Sequence, residues 1–156
     1  MVLVIVGILA AFVGPVLLNA IRAYDRTQAT IGTYGKMRYA MERMAREVAA
    51  VRRNPANTTA FHVTAMTAGS FGFFKEDGTE VTLALAGTDL NLTYVGTATG
   101  RLADGVSALA FAYYQHDGAT AAANATELQF VEISMTIGDG SSNYANRLRV
   151  GLRNVQ

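Results

Sequence analysis

In this 156-residue chain the first charged side chain after the N-terminus is Arg22, and the uncharged run before it limits every fold the rest can adopt. Twelve of the first eighteen residues are Val, Leu, Ile or Phe. At roughly −0.3 to −0.6 kcal/mol each on an insertion scale, they sum to about −4 to −7 kcal/mol before Gly and Pro are set against them. With Asn19, Ala20 and Ile21 the run reaches roughly 31 Å as a helix, close to the hydrocarbon thickness of a bilayer. A secretory signal would open on a basic residue and carry a shorter apolar stretch. A core helix of a soluble domain would not be apolar on every face, nor too long for so small a domain to surround. The expectation is a transmembrane or filament-core helix over 1–21, bent near Pro15, whose ring leaves a carbonyl without its intrahelical partner.

Beyond Arg22 the apolar residues become one-sided. Tyr34, Met37, Met41, Met44, Val48 and Val51 follow at alternate steps of three and four, which places them on one face of a helix. Lys36, Arg38, Glu42, Arg43, Arg46 and Glu47 fall between them, and Glu42/Arg46 and Arg43/Glu47 are spaced for ion pairs on a solvated face. This predicts an amphipathic helix over 22–54, stopped by Asn54-Pro55, because Pro lacks a donor and restricts the residue before it.

From Phe61 the period changes to two. Segments 70–74 and 81–85 flank Glu76-Asp77-Gly78-Thr79, where Asp-Gly is a hairpin signal. Leu90, Leu92 and Tyr94 alternate with polar residues, and 108–114, 128–137 and 148–153 bring the expected total to about six strands. Asp117-Gly118 and Asp139-Gly140 read as turns, and 119–126 and 141–146 as loops. Strands that follow one another without further helices make an antiparallel sheet, so the class is α+β, with a β domain over 55–156 packed against the Met stripe.

No catalytic constellation emerges. The chain has no Cys, which removes disulfides, thiolate metal sites and a Cys nucleophile together. His62 and His116 lack a second ligand at metal spacing, and no serine stands in a Gly-x-Ser-x-Gly setting. Asp139-Gly140-Ser141-Ser142-Asn143 has oxygen donors but no matching bidentate Glu, which favours a turn over a calcium loop. A formal net charge of +1 supplies no field for nucleic acid. The expectation is a non-enzyme with no cofactor, no metal, no small-molecule substrate and no nucleic-acid partner.

The order of apolar helix, amphipathic continuation and antiparallel sheet resembles the type IV pilin and type II secretion pseudopilin superfamily. The residues that carry this are Val2-Leu3-Val4-Ile5-Val6-Gly7-Ile8-Leu9-Ala10-Ala11-Phe12-Val13-Gly14-Pro15, with a Gly-Ile-Leu-Ala-Ala core and a Pro eight residues after Gly7. The stretch Leu102-Ala103-Asp104-Gly105-Val106-Ser107-Ala108-Leu109-Ala110-Phe111-Ala112-Tyr113-Tyr114 and the terminal Leu148-Arg149-Val150-Gly151-Leu152-Arg153-Asn154 are similar to strands of minor pilins and of J-type or W-type pseudopilins. Members of the family begin with a basic leader, a Gly at the cleavage point, a Phe that becomes methylated, then Thr-Leu and a Glu used in docking. This sequence starts after them, so a truncated gene start or a trimmed piece is expected, neither cleaved by prepilin peptidase nor docked normally.

The resemblance implies a single-pass subunit of the bacterial inner membrane with its domain in the periplasm, or a subunit of a cell-surface filament. Its partners would be other pilin or pseudopilin subunits and inner-membrane lipid. Arg22, Arg26, Lys36 and Arg38 would by themselves favour a cytoplasmic domain; the expectation follows the family orientation. Leu3, Val6, Gly7, Ile8, Leu9, Phe12, Val13, Pro15 and Leu17 are the candidate filament-packing residues. A rival reading is a membrane-tethered periplasmic binding or sensing module that does not polymerise and would tolerate an unrelated anchor.

Overall fold

In the computed structural model, residues 2–97, 99–140 and 142–152 are described, with side chains described from Val13 onward. One helix, α1, runs Val2–Ala49, about 72 Å at 1.5 Å per residue, and continues through Pro15. It ends at Ala49, short of the Asn54-Pro55 stop expected from sequence. Ala50 N donates to Glu47 O and Val51 N to Val48 O, tighter bonds that close the last turn, after which Val51 bridges to Lys75. Tertiary pairing captures the chain before proline can act. Asn54-Pro55 instead lies in the turn of a short hairpin, β1 Arg53–Asn54 and β2 Asn57–Phe61, with Asn54 Oδ1 accepting from Ala56 N at 2.9 Å.

Among the described residues three antiparallel sheets follow, not one, and ten strands in place of about six. Besides the β1–β2 pair there is a five-stranded meander: β3 Val63–Met66, β4 Ser70–Phe74, β5 Glu80–Ala86, β6 Asp89–Tyr94 and β7 Gly100–Ala103. A three-stranded meander is built from β8 Val106–Tyr114, β9 Phe130–Gly138 and β10 Asn143–Gly151. Residues 143–146, expected in a loop, open β10, because Asn143 pairs with Gly138 and Ala145 with Thr136 across the β9–β10 hairpin.

The Asp77-Gly78 signal produces the β4–β5 turn, where Gly78 has φ +82° and Asp77 Oδ1 accepts from Thr79 N at 2.8 Å. Gly72 is needed for another reason: a Cβ there would lie 2.6 Å from Thr64 Oγ1 on the neighbouring strand.

The core is the space where α1 lies against β10, β9 and β7, so the helix bridges the two larger sheets. Met37, Met41, Met44, Val48 and Val51 are buried there, against Phe71, Phe73, Leu83, Leu90, Ile133 and Met135. Tyr34 is the exception in the expected stripe. It stays 49% exposed, its ring against Tyr144 at 4.7 Å, while Thr33, one residue earlier, takes the buried position. A cross-sheet tie completes the body: the Tyr113 phenol, whose pKa burial pushes up, donates to Thr67 O at 2.7 Å.

Candidate assembly surface on the projecting helix

Every residue from 13 to 29 is exposed, so about 25 Å of described helix stands clear of the domain before Thr30 meets Tyr144. This stretch leaves large apolar side chains in water. Val16 is 68% exposed, Leu17 57% and Tyr24 64%, and Val13, Leu18, Ile21 and Ile31 are also more than half exposed. Scattered exposed apolar residues are normal on a protein surface, but seven on one projecting element are not. Leu17, Tyr24 and Ile31 are one heptad apart. At about 100° per residue they share a face turned roughly 140° from the stripe that Met37, Met41 and Met44 present to the sheets. Arg22, Asp25 and Arg26 occupy the other side. With the helix straight, as it stands here, the domain therefore does not cover this apolar face.

The candidate packing residues Leu3, Val6, Gly7, Ile8, Leu9 and Phe12 lie outside the described side chains. Val13 and Leu17 are exposed on the projecting stretch, which also contains Pro15. Among the described residues no helix is long and apolar enough to cross a membrane.

Two polar clusters fix the helix to the domain, and sequence reasoning missed both. The first centres on Glu47, assigned from its spacing to a solvated face but only 4% exposed. Its Oε1 lies 2.8 Å from Arg43 Nη2 and accepts a 2.9 Å hydrogen bond from the Tyr94 hydroxyl, which itself accepts from Arg43 at 2.7 Å. Glu47 Oε2 accepts no hydrogen bond but faces Lys75 Nζ at 3.3 Å as an ion pair. Burial, reinforced by the carboxylate that takes its proton, holds the Tyr94 phenol above its ordinary pKa. Tyr94, at the end of β6, and Lys75, just past β4, are brought to the same end of the five-stranded sheet by the pairing of β4, β5 and β6, with Lys75 Nζ 5.7 Å from the Tyr94 ring centroid. No local pattern could have announced their meeting with the helix. Glu42, expected to pair with Arg46, is held by Arg38 at 2.7 Å.

The second cluster sits where α1 leaves the body. Thr30 Oγ1 and the Tyr144 hydroxyl are 3.1 Å apart, Tyr144 donates to Asp139 Oδ2 at 3.0 Å, and Lys36 Nζ reaches Asp104 Oδ1 at 2.7 Å. Open clefts flank this turn. One of about 450 Å³ is lined by Ala29, Gly32, Thr33 and Lys36 with Asp104 and Gly138, and one of about 570 Å³ by Tyr34, Gly35 and Arg38 with Ala145 and Asn146.

The two histidines stand apart. His62 stacks on Phe74 at 4.2 Å and accepts from Arg52 Nε at 3.2 Å, whereas His116 is exposed in a turn. Among the described residues no three His, Asp or Glu side chains gather as metal ligands. Neither the scan against protein-family models nor the search of curated proteins returns a match for this chain.

Proposed function

We propose that this chain is a structural subunit, a pilin-like minor pilin or pseudopilin of a type IV pilus or a type II secretion-like filament. In this reading it waits in the bacterial inner membrane with its domain in the periplasm, then enters the filament by exchanging lipid contacts for contacts with other subunits' helices. The supporting observation is the helix that leaves the domain with Val13, Val16, Leu17, Leu18 and Ile21 in water. Fully burying each such side chain is worth roughly 1.5 to 3 kcal/mol, and half of that remains to be gained here, so the stretch favours cover by about 4 to 7 kcal/mol. Around Tyr24 and Ile31 the helix is apolar on one side only, which fits neighbouring helices better than hydrocarbon on all sides.

The test is incorporation. Asp at Leu9 and Phe12, and separately at Leu17, is expected to abolish recovery of the subunit with sheared filaments while its β domain keeps its circular dichroism. Undiminished recovery would overturn the reading. Replacing 1–21 with an unrelated transmembrane helix should likewise abolish incorporation, whereas a tethered binding module would keep its activity.

A further inference from the structure

Gly32 and Gly35 bracket the point where α1 meets the domain, and nothing in the described structure requires glycine at either. Both have negative φ, and a Cβ built on either meets no atom within 4 Å. At Gly78 glycine answers to a left-handed turn and at Gly72 to a close strand, but Gly32 and Gly35 have neither reason. At these two positions it has only its effect on the helix, where each disfavours the helical state about fivefold relative to Ala.

The surrounding residues weaken the same two turns. Thr27, Thr30 and Thr33 are β-branched, and each hydroxyl lies 2.9 Å from the carbonyl four residues earlier, on Ala23, Arg26 and Ala29, a bond that competes with the helix's own ladder and bends it. Thr30 has a further choice. The single Tyr144 hydroxyl proton goes to Asp139, so the Thr30 proton goes either to Tyr144 or to the Arg26 carbonyl, never to both. Tyr144 thus holds the weakest part of the helix through one exchangeable bond and the tilted contact of its ring with Tyr34. The Lys36–Asp104 pair adds an exposed tie of the kind that contributes little. The clefts on either side leave the helix room to move.

We infer that α1 is jointed at Gly32–Gly35, with Tyr144 as the latch, so that the projecting rod swings relative to the domain. Such a joint lets one apolar rod seek its cover while the domain keeps its own packing. It stands whether or not that cover is a filament.

The absence of cysteine makes the joint measurable on the full chain in detergent micelles. Spin labels at Asp25→Cys and Ser107→Cys report the distance between rod and domain, and hydrogen exchange reports the helix itself. The amides of Gly32, Thr33, Tyr34 and Gly35 are expected to exchange at least tenfold faster than those of Met41 and Met44. Combined Gly32→Ala and Gly35→Ala should slow them by about thirtyfold and narrow the distance distribution. Tyr144→Phe, which keeps the ring and removes the hydroxyl, should broaden it. Exchange at 32–35 as slow as at Met41 and Met44, or a distribution that neither change alters, would overturn the joint.

Discussion

The Tyr94 hydroxyl donates a 2.9 Å hydrogen bond to Glu47 across 47 residues of sequence, so the end of β6 holds the last two turns of α1. With Arg43 and Lys75 on the same carboxylate, a charge that the helix alone would turn to water becomes the point where helix and sheet are registered. A buried ion pair of this kind repays its desolvation only when its partners are all in place.

Removing the carboxylate should therefore cost more than a surface charge would. Glu47→Ala is expected to destabilise by about 2 to 3 kcal/mol in urea unfolding, below the roughly 3 to 5 kcal/mol of a fully buried pair. The discount reflects Arg43 and Lys75, whose side chains remain 34% and 24% exposed. Tyr94→Phe should cost about 1 to 2 kcal/mol, since the hydrogen bond to a charged acceptor is lost and the ring kept. A change under a few tenths of a kcal/mol in both would remove Glu47 from the account of how the helix is held.

Met44 is fully buried between α1 and the sheets. Met44→Ala is expected to cost about 2 to 5 kcal/mol, the range for a large-to-small change in a core that collapses only partly. The same change at Met41, 3% exposed on the adjoining turn, should fall in this range. If both melt like the wild type, the helix does not cover the sheets as described.

His62 makes stability depend on pH. Burial first, and then the Arg52 charge, lower its pKa below 6.5, with Glu80 opposing weakly. The folded state therefore binds fewer protons than the unfolded one over this range. The contribution is fully present above about pH 6.5 and is lost as pH falls through the lower folded value. Denaturation midpoints should drop between pH 7.5 and 5.5 in wild type, and His62→Gln should flatten that drop. An equal drop in the His62 variant would assign the effect elsewhere.

Long, strongly periodic elements were legible before any coordinates. The Met37–Met41–Met44–Val48 stripe, the Asp77-Gly78 turn and the longer strands β4, β5, β6, β8 and β9 all have enough residues for a period to show. β1, β3 and β7, of two to four residues, do not, and in β2, as long as β4, Asn57, Thr58 and Thr59 face solvent with no apolar alternation. The end of α1 was placed late for a related reason: Asn54-Pro55 is a sufficient stop, but pairing of Val51 with Lys75 acts first.

Sequence alone determined what depends on neighbours along the chain: an apolar run without charge, a stripe at helical spacing, turns at Asp-Gly, and from these an α+β chain led by one long helix. Only the tertiary structure decided which charge is buried, that the strands divide into three sheets, and that the helix's second apolar face looks away from the domain. The physical reason is range. Periodicity and turn chemistry act over a few residues, whereas the meeting of Glu47 with Tyr94, or of Thr30 with Tyr144, exists only once distant segments have packed.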